Sequence, residues 1–336
     1  MGKLRLRASY LFDRARSINL PRLWKSARSI ARIAHRPSLV VLIDMLQCSV
    51  RYECGFQDYQ DWDFALLSAA ERRTFMTHPK SDHIARRYNV GQDRYDLRDK
   101  SRFNRRFATY VRRDWIDIRE ASDKDLAAFI LRHPVAMAKV PDSEGGSGIE
   151  KIVHDGSESA GELRDRLSSS RQFLLEEFVV QHPDMALLNA TSVNTLRIVT
   201  FVRDGVVHVL ARVLKMGSGG DIDNFSAGGM YTMLDSDGVA LYAAFDRHDA
   251  MHSVHPLSGT SIVGFRVPRF SEVIELVSKA ALELTDVPYV GWDVAIAPNG
   301  PLIIEANYNT GVFQAKPRAS GTPQGLLPVY AAVAEF

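Results

Sequence analysis

Cysteine is scarce in this chain of 336 residues: there are two, Cys48 and Cys54. They fit neither a disulfide framework nor a zinc knuckle, so the expected setting is a reducing compartment, the cytoplasm. Long apolar runs are also missing. The longest candidate, Leu39 to Leu46 (LVVLIDML), falls well short of the roughly eighteen apolar residues of a membrane span and contains Asp44. Repeats and low-complexity tracts are absent as well. What remains is ordinary globular composition, 46% hydrophobic and 24% charged, and a length that allows two or three packed lobes.

Net charge is only +2, but it is unevenly spread. Residues 1–36 carry ten Lys and Arg against Asp13 alone, a local charge of +9 that leaves −7 for the rest. Leu, Ile, Phe and Trp24 are interleaved with these cations. The stretch reads either as a basic amphipathic helix touching anionic lipid or another polyanion, or as a solvated helical face packed on the main body. The cations lead into no clean apolar segment with a small-residue cleavage site, which argues against a secretory signal. No nucleic-acid partner is expected.

Along the chain, residues 1–98 read as mostly helical, with segments at 39–52 and 61–76. Further helices are expected from Asp99, from Ser122 with its Asp125 capping partner, over 159–167, over 270–284, and from Gln324 to the end. From Pro134 onward short β-rich runs dominate, several joined by tight turns such as Arg203-Asp204-Gly205 and Pro298-Asn299-Gly300. The pattern predicts antiparallel hairpins with helices on one face, an α+β arrangement. Expected boundaries are a helical, basic region over 1–98 and two α+β lobes over 99–190 and 191–336.

Residues 291–307, GWDVAIAPNGPLIIEAN, place Asp293, Glu305 and Asn307 on two apolar strands around a turn. A three-residue loop at Pro298-Asn299-Gly300 would set position 293 opposite 305, with 305 and 307 on the same face. Two acids and an amide so placed suit a hard cation such as magnesium. A two-residue loop would send Asp293 to the other face, and acids at strand ends are also commonly just solvated.

Upstream, Lys139 ends a strand that leads into DSEGGSGI, where Gly145, Gly146, Ser147 and Gly148 form a donor-rich loop able to wrap phosphate oxygens. A Gly-rich surface turn beside a solvated Lys would read the same. The run QFLLEEFV ends in Glu176, Glu177, Phe178 and Val179, suited to an adenine edge and ribose hydroxyls, or to an edge strand with exposed acids. Arg197, within VNTLRIVTFV, and Arg212 and Lys215 on the next strand are cations of the kind a transferring phosphoryl group needs. His182, His208, His252 and His255 are expected to be structural, and no general base stands out.

Lys100 in RDKSRF, Lys139 before EGGSG, LLEEFV, VNTLRIVT, DNFSAGG and the hairpin occur in the order and rough spacing of the ATP-grasp superfamily. More narrowly, LLEEFVVQHPDMALLNATSVNTLRIVT followed by DNFSAGG resembles the sugar-transfer-associated ATP-grasp group, relatives of glutamate-ligase-like enzymes. The resemblance covers about residues 85–320. It implies an ATP-grasp fold, with ATP held between two α+β lobes. Lys100 and Lys139 would contact its phosphates, Gly145 to Gly148 would close over them, and Glu176 to Val179 would take the adenine. Asp184 would be the ribose partner by offset, since Pro183 occupies the usual place. Asp293, Glu305 and Asn307 would hold Mg2+, Arg212 would approach the γ-phosphate, and Asn224 would face the acceptor.

That resemblance implies an ATP-dependent carboxylate-amine ligase working through an acyl phosphate, with small-molecule or peptide carboxylate and amine substrates, for instance an amino acid joined to a sugar acid. A kinase acting on a sugar or lipid-linked hydroxyl and a silent nucleotide-binding scaffold in glycan assembly are the alternatives. On the first reading the catalytic set is Arg197, Arg212, Lys215 and Asn224. Peripheral contact with the inner face of the membrane would run through residues 1–36.

Overall fold

A computed structural model describes residues 19–143, 148–219 and 228–335. The described residues open with helix α1 (Leu20–Ala34) and helix α2 (Ser38–Arg51), separated by His35 in a left-handed conformation. The expected helix over 61–76 is broken. Helix α3 (Phe56–Asp61) stops just before Asp63, which is left-handed with φ 50°; a single 3-10 turn (Phe64–Leu66) follows, and Ser68, with a capping box to Glu71, opens Ala69–Arg72. Helix α4 (His78–Tyr88) completes this region.

Helices α5 (Lys100–Arg106) and α6 (Ala108–Val111) follow, α5 starting as expected at Asp99, which caps it by accepting the Arg102 N–H. Ser122 and Asp125 form the expected capping box of α7 (Asp123–Arg132), and Ser159 caps α8 (Ala160–Ser169) in the same way with Glu162. Helix α9 (Phe270–Leu282) precedes the carboxylate hairpin. The C-terminal helix is short, Leu327–Ala331.

Two sheets form, and every pairing among the described strands is antiparallel. The smaller holds β1 (Trp115–Asp117), β2 (Val135–Lys139), β3 (Ile149–Val153) and β4 (Leu174–Glu177) in the order β1-β4-β2-β3. Leu126, Phe129, Leu163 and Leu167 of α7 and α8 cover it through Ala136, Ala138, Ile152 and Leu175. The larger sheet runs β11-β10-β5-β6-β7-β8-β9. Its strands are β5 (Thr195–Arg203), β6 (Val206–Met216), β7 (Met230–Met233), β8 (Ala244–Asp246), β9 (Met251–His252), β10 (Tyr289–Ala297) and β11 (Gly300–Asn307).

Helices on one face was the expectation, and the larger sheet departs from it. Val273, Leu276 and Val277 of α9, with Phe103 and Phe107, cover Leu196, Ile198, Leu214 and Trp292 on one side. Met45, Tyr59, Trp62, Phe64 and Phe75 of the N-terminal region cover Val199, Phe201, Val213 and Tyr231 on the other. This explains why β5 and β10 read as nearly continuous apolar runs: strands buried on both faces have no polar side to alternate with. Polar residues inside such strands therefore need partners.

Candidate functional site

The β10–β11 hairpin turns through Pro298 and Asn299 alone, because Ala297 pairs with Gly300, whose φ of 138° suits glycine. The expected three-residue loop is thus a two-residue one, which by itself would set Asp293 against Ile304. The register shifts between Asp293 and Val294, so Val294 pairs with Ile303 and Asp293 with Glu305. Ile304 is the extra residue of a β-bulge, and it restores the two carboxylates to one face. Asn307, two residues on, shares that face.

On the neighbouring strand Arg197 pairs with Asp293, so Arg197, Asp293 and Glu305 form one cross-strand row. Arg197 grips Asp293 with two nitrogens, Nε 2.8 Å from Oδ1 and Nη2 donating to Oδ2 at 2.9 Å. Lys215 Nζ lies 3.6 Å from the same carboxylate. The guanidinium also lies 5.5 Å from the Phe313 ring centroid and donates to the Thr310 carbonyl at 3.5 Å. Gly291 makes room for it. A Cβ there would stand 2.6 Å from Arg197 Nη1.

Burial pushes the Glu305 carboxyl up, but the charges of Lys100 and Arg197, a hydrogen bond shared with Asp293 and the charge of Lys139 outweigh it and hold the group at about 2. The Asn307 amide donates to Glu305 Oε1 at 3.3 Å. Two carboxyl groups and an amide oxygen on one face are hard donors that fit magnesium. Asp293 is engaged by Arg197, so Glu305 and Asn307 are the side chains best placed to hold the ion. Among the described residues no three His, Cys, Asp or Glu side chains form a metal site of their own.

A second polar knot joins the two sheets. Glu176 at the end of β4 is buried, and it accepts from Arg113 Nη2 at 2.7 Å, from Asn104 Nδ2 at 2.6 Å and from Lys139 Nζ. Burial opposes its ionisation, yet Arg113 and Lys139 hold it well below the usual carboxylate range. The same Arg113 donates to the carbonyls of Ile303 at 2.7 Å and Ile304 at 3.0 Å. It thereby satisfies the backbone at the bulge that sets the carboxylate register. Lys100 donates to the Ser143 carbonyl and feels both Glu305 and Lys139. Burial, chiefly, draws its ammonium pKa down.

Of the residues expected at the site, Lys100, Lys139, Glu176, Arg197, Lys215, Asp293, Glu305 and Asn307 come together. Arg212 does not. It pairs with Ile198, one residue out of phase with Arg197, so it lies on the α9 face, where burial lowers its pKa and Asp235 opposes that. Glu177 turns to Asp114, accepting its N–H at 3.0 Å, and Phe178 lies under Lys151. Val179 packs on the Ala295–Leu302 cluster, and Asp184 is exposed on Pro183–Ala186 beside His182. Gly148 is left-handed with φ 70°. Gly145, Gly146, Ser147 and Asn224 lie outside the described residues.

Sequence reading missed Arg113, Asn104 and Gly291. It also missed His78, whose Nδ1 bonds the buried Asp58 carboxylate and whose side chain is half exposed. Asp61 and Asp82 stand near it. Burial pushes Asp61 up to about 6 and raises Asp82, which is hydrogen-bonded by Asn309, two residues beyond Asn307. The only advance signal for Arg113 was the pair Arg112-Arg113 ahead of β1, which follows no motif spacing. His255, as expected, is structural: it is fully buried with Nε2 2.8 Å from the Gly217 carbonyl.

The model of the family described as sugar-transfer associated ATP-grasp matches residues 129–319. No curated protein matches the chain. Similar solved structures include N5-carboxyaminoimidazole synthetase from Staphylococcus aureus with ADP, at 11% identity and a TM-score of 0.38, covering 63% of this chain and 44% of that one. Phosphoribosylamine–glycine ligase from Thermotoga maritima follows at 13% and 0.39, covering 66% and 50%. The ATP-grasp ligase PsnB with its minimal precursor gives 13% and 0.42, covering 83% and 75%. The chain spans about half the length of the first two.

Proposed function

Because the chain belongs to the sugar-transfer-associated ATP-grasp family, whose model matches more than half of it, we propose that it is an ATP-dependent carboxylate-amine ligase that forms an amide through an acyl phosphate. The observation that carries this reading is the row Arg197–Asp293–Glu305, flanked by Lys215, Lys139 and Lys100. Carboxyl groups for a metal and buried cations for phosphoryl oxygens stand together there. That is the equipment phosphoryl transfer to a carboxylate requires.

ATP would lie between the sheets, its phosphates toward Lys100 and Lys139. Glu305 and Asn307 would hold Mg2+, which when bound supplies charge neutralisation on the phosphates. Arg197 and Lys215 then stabilise the charge that develops as a substrate carboxylate oxygen attacks the γ-phosphorus and ADP leaves. In the second step an amine attacks the acyl carbon, the carbon–oxygen bond to phosphate breaks, and phosphate departs with one carboxylate oxygen. The amine must shed a proton, and half-exposed His78, with Nδ1 held by Asp58, is assigned as its acceptor. The substrate pair is an amino acid with a sugar acid or a peptide.

Mass spectrometry of reactions with ATP, magnesium and a panel of uronic acids, peptides and amino acids tests this. A condensed product with ADP and free phosphate is expected, and is lost in Asp293→Ala. A phosphorylated acceptor without free phosphate would make the protein a kinase. No turnover of ATP with any acceptor, together with full biological activity of Asp293→Ala, would make it a scaffold.

A further inference from the structure

Large apolar side chains left in solvent concentrate on the first two helices. On α2, Leu39 (60% exposed), Ile43 (48%), Leu46 (41%) and Val50 (62%) recur at spacings of four, three and four residues, forming one straight ridge. The opposite face of α2, with Val41, Met45 and Cys48, is buried in the core. Leu20 and Trp24 are exposed on α1. The ridge is not the unpacked back of a short span, since no described helix is long and apolar enough to cross a membrane.

The charge around the ridge has one sign. Residues 19–52 hold Arg22, Lys25, Arg28, Arg32, Arg36 and Arg51 against a single acid, Asp44. That acid is neutralised from inside by Arg72, which donates to it at 2.8 and 2.7 Å. Arg28, Arg32 and Arg36 line a depression of about 310 Å³ together with Ser38, the first residue of α2. Guanidinium groups and the positive end of a helix both favour phosphate oxygens. Arg28 also sits over the Trp24 ring, at 5.5 Å.

We propose that the α1–α2 hairpin docks on an anionic lipid bilayer, with Leu39, Ile43, Leu46 and Val50 entering the acyl boundary and Arg28, Arg32 and Arg36 holding lipid phosphates. An apolar ridge beside a purely basic flank matches a surface whose interior is apolar and whose rim is negative. A second copy of the chain is a poorer fit, because a two-fold contact through this face would bring the same cations against each other. The ridge lies beyond the basic segment that the sequence alone pointed to. The proposal is independent of the reaction assigned to the Arg197–Asp293–Glu305 row.

The test is flotation of the full chain with vesicles of phosphatidylcholine alone or mixed with phosphatidylglycerol. Wild type is expected to float with the mixed vesicles and to be released by salt. Arg28→Gln/Arg32→Gln/Arg36→Gln is expected to weaken binding about a hundredfold. Ile43→Ser/Leu46→Ser is expected to weaken it at least about tenfold. Val206→Ser, at an exposed apolar site elsewhere, should change nothing. Quenching of Trp24 by brominated acyl chains in the unmodified protein needs no substitution and should accompany binding. No flotation of wild type, full binding by the Ile43/Leu46 variant, or a dimer in light scattering that this variant dissolves without any vesicle binding would overturn the proposal.

Discussion

Asp293 faces Glu305 across the β10–β11 hairpin because Ile304 is one residue more than the ladder needs, and Arg113 holds the carbonyls on either side of that insertion. The site therefore depends on a backbone irregularity secured by a residue just ahead of β1. Arg113→Leu should free the Ile303 and Ile304 carbonyls and leave Glu176 with Lys139 and Asn104. Breaking a buried pair costs about 3–5 kcal/mol. Urea denaturation should show that loss, and ATP-dependent turnover should vanish in the fraction that remains folded.

Gly291→Ala tests how closely Arg197 must lie across β10. A methyl group there would come within 2.6 Å of Nη1 and 3.3 Å of the Thr310 Cα, so the guanidinium must shift, which is expected to loosen its grip on Asp293. Turnover should fall roughly a hundredfold, the scale of a misplaced transition-state contact. Thermal unfolding should shift by only a few degrees. Unchanged turnover would mean that the grip of Arg197 on Asp293 is not used.

Glu305→Gln should weaken magnesium-dependent nucleotide binding while leaving metal-free nucleotide binding close to wild type, measured by calorimetry with and without a chelator. Since Glu305 titrates at about 2, it should add no acid limb to activity profiles above about pH 4.

Asp61 carries a pH signature of opposite sign. Its folded pKa, about 6, lies above its unfolded value of 3.8, so the native state binds the proton more tightly. Stability from this group is present below the unfolded pKa and is lost as pH rises from about 4 to about 6. Asp61→Asn should then raise stability at pH 7 by roughly 1–3 kcal/mol and flatten that slope, read from denaturation midpoints across the range.

His78→Asn should keep the stability of wild type within about 1 kcal/mol, since half of the ring is in solvent, yet slow amide formation. ADP release uncoupled from product would mark the second step as the one affected. An unchanged product yield per ADP would move the proton acceptor elsewhere.

The strands of the larger sheet were legible because β-branched runs and tight turns mark them locally. Ser122 announced its helix by capping chemistry that operates within four residues. Arg197, Asp293 and Glu305 were legible as polar residues inside apolar strands. The turn was misjudged, and the expected register came out right only because a bulge compensates, which no local pattern encodes. Arg212 was misplaced because one residue along a strand reverses the face. Arg113, Asn104 and Gly291 were missed for a common reason. Their roles are set by groups distant in sequence: Glu176, the Ile304 carbonyl and the Arg197 guanidinium.

The measurement that tests the central claim most directly is isotope transfer with whichever carboxylate substrate gives condensed product. With 18O in its carboxylate, attack on the γ-phosphorus followed by amine displacement must leave one labelled oxygen in the free phosphate. Labelled phosphate, formed by wild type and lost in Asp293→Ala, is the predicted result. Unlabelled phosphate, or phosphate retained on the acceptor, would contradict the acyl-phosphate ligase.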